Sequence, residues 1–152
     1  MIDLRRLLCD ERGQSLLEIS VAAPFFILAL VGTFEFGRYE YAKIEMGNAA
    51  RAAVQYGAQS STTANDSNGM IASAVADAQE LSLQTSDVQT TLYRACDASP
   101  TPTTPAPTAC PNDRLDSFVQ VQITHAYIPL FAYPGLPNPV TMVAKEAQEV
   151  SP

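Results

Sequence analysis

Apolar and polar positions divide this chain into stretches with different periods. From Leu16 to Phe36 apolar residues run almost unbroken for 21 residues. As a helix at about 1.5 Å per residue, that run spans roughly 30 Å, the hydrocarbon thickness of a bilayer. Beyond Arg38, the residues Ala42, Met46, Ala49, Ala50, Ala53 and Gly57 recur at helical spacing. The helix is therefore expected to continue, with a stripe of mostly small residues on one side. The stripe can lie under the protein's own sheet or against another subunit, and the first is the simpler reading. Residues 60–69 are polar and turn-rich and read as a loop. Met70 to Ser82 reads as a second, short helix with Ile71, Ala74, Val75, Ala78 and Leu81 on one face.

Further on the period becomes two. Val88, Thr90, Leu92 and Arg94 alternate within Asp87 to Cys96. Val119, Val121 and Ile123 alternate with Gln120, Gln122 and Thr124 within Ser117 to Tyr127. Val140, Met142 and Ala144 open a third such run that ends at Val150. This is the signature of a sheet with one buried face. The expected fold is α+β: a long N-terminal transmembrane helix that extends into a small domain. That domain holds the second short helix and an antiparallel sheet of about three strands. The strand order cannot be read from the pattern.

Composition narrows the chemistry. The 152 residues suffice for one domain plus an attached segment. A net charge of −7 with no Lys/Arg cluster excludes nucleic-acid binding. With one His and three Cys, catalytic and metal constellations are scarce. His125 sits at a strand end without the spacing of a nucleophile–base pair, and reads as a surface or half-buried side chain. No metal, cofactor or small-molecule substrate is expected, and the chain does not read as an enzyme. Asn65-Asp66-Ser67 matches a glycosylation triplet, a pattern too frequent by chance to carry weight.

The apolar run is too long for the core of a cleaved signal peptide, and no small-x-small site follows it. Cys9 lacks the apolar stretch of a lipid-anchor site, having only Leu7 and Leu8 before it. Arg5, Arg6 and Arg12 precede the run, while Arg38, Lys43 and Arg51 follow it, so charge gives almost no orientation. Cys96 and Cys110 are more informative. Neither has partners for zinc, so they are either free thiols or, more economically, a disulfide, which requires an oxidising compartment. That places the C-terminal domain outside the cytoplasm and the N-terminus inside. Between the two cysteines lies a Pro/Thr-rich stretch that favours extended conformation. Closing such a loop of about 15 residues contributes roughly 3 kcal/mol on the chain-entropy model. Tyr127 to Pro139 reads as an ordered aromatic connection, with Phe131 and Tyr133 as its anchors on the domain.

Glu18 stands inside the first turn of the apolar run. A carboxylate at a helix N-terminus contributes about 0.3–1 kcal/mol through the helix dipole. A second reading starts at Gly13. If the chain were cut after Gly13, Gln14 would carry a new α-amine with a reference pKa of about 8, largely protonated. Glu18 would then be residue five, one turn away, and amine and carboxylate would offset each other's desolvation. Pro24 removes a backbone donor and is expected to kink the helix or melt a turn, as a neutral feature or to allow subunit packing. Glu35 and Arg38 share a helix face and read as an ion pair at the outer membrane boundary.

A charged leader, then Gly13, four residues, Glu18 and a membrane-length run resemble the type IV prepilin pattern. More narrowly, Glu18-Ile19, Pro24, Glu35 to Arg38 (Glu-Phe-Gly-Arg) and Asn48 to Arg51 (Asn-Ala-Ala-Arg) resemble the TadE-like family, pilin-like proteins of the tight-adherence (Flp) type IV pilus. The resemblance is close over Arg12 to Gln59. Ile19 departs from it, since Phe or Tyr is common there. It implies a prepilin-type leader at 1–13, a transmembrane and extended TadE-like helix at 14–59, and an exported pilin-like α+β domain at 60–152 with a Pro/Thr-rich disulfide loop. It also implies a minor pilin or pseudopilin that takes part in pilus assembly after cleavage between Gly13 and Gln14. The partners would be a prepilin peptidase, other pilin and pseudopilin subunits, and the assembly platform of the bacterial cytoplasmic (inner) membrane. The chain would cross that membrane once and could enter an extracellular pilus. The alternative is an uncleaved, signal-anchored envelope domain that binds a protein partner or a surface.

Overall fold

The structure, a computed structural model, describes residues 11–96, 101–102, 107–111, 114–131, 135 and 137–151, with the backbone alone for 11–13. The leader before Glu11, Cys9 and Tyr133 lie outside the described residues. The chain divides into two units, one ending at Arg38 and one beginning at Tyr39.

Helix α1 runs from Glu11 to Gly57, 47 residues in one element. Pro24 lies inside it, and helical structure passes through that position with no melted turn. The Ser20 carbonyl is the group that Pro24 leaves without its intrahelical donor. In the first unit the apolar residues of α1 stand open on every side. Leu16, Phe25, Phe26, Leu28 and Leu30 are each more than two-thirds exposed, and the most apolar stretch is unburied throughout. The helix is long and apolar enough to cross a membrane.

In the second unit α1 behaves differently. Ala49, Ala50 and Ala53 are 0% exposed, and Ala42 and Met46 are also buried. They form one core with Val88, Val119, Val121, Ile123 and Met142. The small-residue stripe is therefore covered by the protein's own domain. Close approach is most visible at Gly57. A Cβ there would lie 2.5 Å from the Met70 sulfur and 3.0 Å from Val119 Cγ1.

The stretch expected to be a plain loop holds a one-turn helix, α2 (Ser61–Ala64). Ser60 Oγ accepts from the Thr63 N–H at 3.2 Å, while Thr63 Oγ1 accepts from the Ser60 N–H at 3.0 Å. This reciprocal capping box supplies two partners that a short helix otherwise lacks. The next helix, α3 (Ser67–Asp77), starts and stops earlier than the apolar pattern indicated. Asp66 caps it by accepting from the Gly69 N–H at 3.0 Å, which sets the start three residues before Met70. Met70, Ala74 and Ala78 turn into the core, with Ile71, Val75 and Leu81 packed at its edge.

A 3-10 turn, Thr85–Asp87, leads into the sheet. Strands β1 (Val88–Cys96), β2 (Leu115–Tyr127) and β3 (Val140–Glu149) pair antiparallel in the order β1-β2-β3. Val88 pairs with Ile123 and Cys96 with Leu115; Phe118 pairs with Glu149 and Tyr127 with Val140. Val119, Val121 and Ile123 are 0% exposed, so the alternation assigned the buried face correctly. On the other face Tyr93 stacks on Phe118 with ring centroids 5.7 Å apart. Cys96 and Cys110 are joined, with Cα atoms 5.8 Å apart, at the end of β1.

Candidate functional site

The chemistry of the first unit lies along α1. Gln14 Nε2 donates to Glu18 Oε1 at 3.2 Å, across one helical turn. Glu18 itself is exposed. The helix thus places residue 14 beside the carboxylate that the spacing singled out, and Gly13 continues the helix on its other side. Within the apolar run the hydroxyls satisfy themselves on their own backbone. Ser20 Oγ donates to the Leu17 carbonyl and Thr33 Oγ1 to the Ala29 carbonyl, both at 2.8 Å. Such back-bonding is what hydrocarbon demands of a hydroxyl that has no water partner.

Glu35 is the one charged side chain that is buried among the described residues, at 7% exposure. Arg38 Nη1 lies 3.5 Å from both of its carboxylate oxygens. A buried carboxylate without a cation or donor is costly, so the i,i+3 arginine is a physical requirement here as much as a motif. One turn on, Lys43 pairs with Glu40 at 3.6 Å and lies 5.6 Å from the centre of the Tyr39 ring. The helix therefore passes from an all-apolar surface to paired charges and tyrosines within a few residues.

The second unit holds pairings that the sequence did not disclose. His125 Nδ1 lies 3.4 Å from Asp87 Oδ2, with both side chains about a quarter exposed or less. The two are 38 residues apart, joined only by the β1–β2 register, so no local pattern could have paired them. Arg51 on α1 bonds Glu146 on β3 at 3.2 Å. Arg114 bridges Asp116 and Glu149, each at 2.7 Å. The Tyr56 hydroxyl donates to Asp66 Oδ2 at 2.7 Å. The Gly69 N–H, then the Tyr56 hydroxyl, hold the Asp66 carboxyl below the usual carboxylate range, against the opposing effect of burial. Here a signal did exist: Asp66 followed by Ser-Asn-Gly before an apolar run is a helix-start pattern. Among the described residues no group of three or more His, Cys, Asp or Glu is gathered as a metal site.

Glu18, Pro24, Glu35 and Arg38 thus fall on one continuous helix, while Cys96 and Cys110 belong to the sheet end of the other unit. No curated protein and no solved structure matches the chain. The family model described as TadE-like protein matches residues 13–55, from Gly13 through Glu18, Glu35 and Arg38 to the buried alanines, so over this stretch the helix is similar to the TadE-like family.

Proposed function

We propose that this chain is a minor pilin or pseudopilin of a tight-adherence pilus. It is inserted in the cytoplasmic membrane by Leu16 to Phe36, with its sheet domain outside the cytoplasm. A prepilin peptidase cuts it after Gly13, and the segment from Gln14 takes part in pilus assembly with other pilin subunits and the inner-membrane platform. The observation that carries this reading is the coincidence, on one helix, of a TadE-like match with an open apolar span that has Glu18 one turn from Gln14. A new amine at Gln14 takes the place beside Glu18 that the Gln14 amide fills in the uncut chain. The disulfide supports an oxidising compartment for the domain.

A rival is an uncut signal anchor that holds the domain at the envelope. It draws on Glu11 to Gln14 all being helical, so that the scissile bond lies in regular helix. Intact mass of the membrane-extracted protein, with and without the peptidase, separates the two. A peptidase-dependent species beginning at Gln14 is expected. A full-length chain in both samples refutes processing and leaves Glu18 a boundary charge.

A further inference from the structure

The connection that leaves β2 is apolar and open. Ile128, Leu130 and Phe131 are 68%, 60% and 51% exposed. Phe131 is therefore not the anchor on the domain that the sequence led us to expect. Water-facing connections are usually polar. This one has no charge: between His125 and Lys145 there is no Asp, Glu, Lys, Arg or His. Three large apolar side chains standing open within four residues call for an apolar cover.

The place of the connection in the fold identifies that cover. Tyr127, the last residue of β2, meets Tyr39 edge to face with ring centroids 5.5 Å apart. Tyr39 follows Arg38 directly, and Arg38 stands two residues beyond Phe36, where the apolar run ends. Residues 128–131 thus begin beside the point at which the chain leaves its apolar run. Four residues reach at most about 13 Å from Tyr127. The polar layer on each side of a bilayer is about 5–8 Å deep. Aromatic rings and apolar side chains are favoured at that depth, with Lys and Arg stretching to the head groups. Tyr39, Tyr127, Arg38 and Lys43 supply the rings and cations of such a belt.

We propose that Ile128, Leu130 and Phe131 enter the interfacial layer of the membrane that α1 spans, as a second contact that holds the domain to the lipid surface. This rests on reading Leu16 to Phe36 as a membrane span. Lipid is preferred to a protein partner because the connection offers no charge for specific pairing and begins beside the chain's exit from the apolar run.

The test uses the full chain with its disulfide intact and Cys9→Ser, carrying one new cysteine by Leu28→Cys, Leu130→Cys, Phe131→Cys or Lys145→Cys. Each is labelled with an environment-sensitive fluorophore and reconstituted in phosphatidylethanolamine–phosphatidylglycerol vesicles, with or without lipid spin-labelled at a deep acyl position, which reaches position 28, or at a shallow one, which reaches the interface. Position 28 reports on the span and position 145 on water. The expected result is blue-shifted emission and lipid quenching at 28, 130 and 131, and neither at 145. Quenching at 28 with none at 130 or 131 overturns the proposal and leaves the span standing. A blue shift at 130 without lipid quenching overturns it in favour of a protein contact or a second copy. No quenching at 28 refutes the span itself, and this proposal with it.

Discussion

The rings of Tyr39 and Tyr127 meet with centroids 5.5 Å apart and planes at 79°. This pair fixes the start of the domain's stretch of α1 to the end of β2. Tyr127 is 8% exposed, so its removal leaves a cavity as well as a lost ring contact. Tyr127→Ala is expected to cost about 3–5 kcal/mol, in the range of buried aromatic truncations. A double-mutant cycle with Tyr39→Ala should give a coupling of about 0.5–1.5 kcal/mol for the ring pair. Denaturant unfolding of the detergent-solubilised chain measures both. Additive losses would show that the two rings are neighbours without interaction.

The two glycines Gly47 and Gly57 lie on the same helix and should respond oppositely to alanine. A Cβ at Gly47 meets nothing within 4 Å, so Gly47→Ala is expected to stabilise by up to about 1 kcal/mol through helix propensity. At Gly57 the same carbon runs into Met70 and Val119. Met70 is flexible, but both its Sδ and Cγ are in the way and Met70 itself is 2% exposed, so it has little room to yield. Gly57→Ala should therefore cost about 1–3 kcal/mol. Melting temperatures of the two variants, taken side by side, decide whether α1 and β2 approach as closely as described.

Asp66 couples the start of α3 to pH. Its carboxyl is held below the ordinary range, first by the Gly69 N–H and then by the Tyr56 hydroxyl. A folded-state pKa below the unfolded one stabilises at pH above the ordinary carboxylate value, and the contribution is lost as pH falls through the folded pKa. Asp66→Asn keeps a cap acceptor and removes the charge. The gap in melting temperature between the parent and Asp66→Asn should thus be widest near neutral pH and close in acid below about pH 4. Tyr56→Phe removes one of the donors that lower it, so the pH at which the gap closes should move upward. A gap that is flat with pH would show that Asp66 acts only as a cap.

Much of this fold was legible because its periods are clean. The 21-residue apolar run, the alanine stripe and the alternation at Val119, Val121 and Ile123 each force one local structure and one buried face. The helix ends were less legible, since Ser60 and Asp66 set them through single side-chain hydrogen bonds while the apolar pattern starts later. Phe131 misled because an aromatic residue among prolines looks the same in sequence whether it docks on protein or stands open. The pairs His125–Asp87 and Arg51–Glu146 depend on strand register and helix placement, which no local spacing encodes. At the candidate site the reverse holds. Glu18, Glu35 and Arg38 lie within one helix, so their spacing in sequence already fixed their geometry.

The disulfide should matter to the domain's stability and little to its strand content. It closes a loop of sequence separation 14, which corresponds to about 3 kcal/mol of unfolded-state entropy. Cys96 sits at the last pair of the β1–β2 ladder, opposite Leu115, and Cys110 lies outside both strands, so the remaining pairs do not depend on the bond. Cys96→Ser with Cys110→Ser is expected to lower the unfolding free energy by about 3 kcal/mol with the far-ultraviolet spectrum of the native sheet retained. A loss of strand signal at low temperature would mean that the bond is needed to form the sheet.

Glu18 is where insertion and assembly should come apart. A carboxylate near the end of an apolar run opposes insertion, so Glu18→Ala makes the span easier to insert, not harder. If Gln14 becomes the first residue, its protonated amine loses its partner in this variant. An ion left unpaired in an apolar setting costs about 3–5 kcal/mol in measured cases. The variant should therefore fractionate with membranes as the parent does, yet co-purify with other pilus subunits at a small fraction of the parent's yield. Glu18→Asp keeps the charge on a shorter arm and should recover part of that yield. Glu18→Gln keeps the size without the charge and should recover little. Equal co-purification of all four proteins would show that the carboxylate serves only the helix end, and would remove Glu18 from assembly.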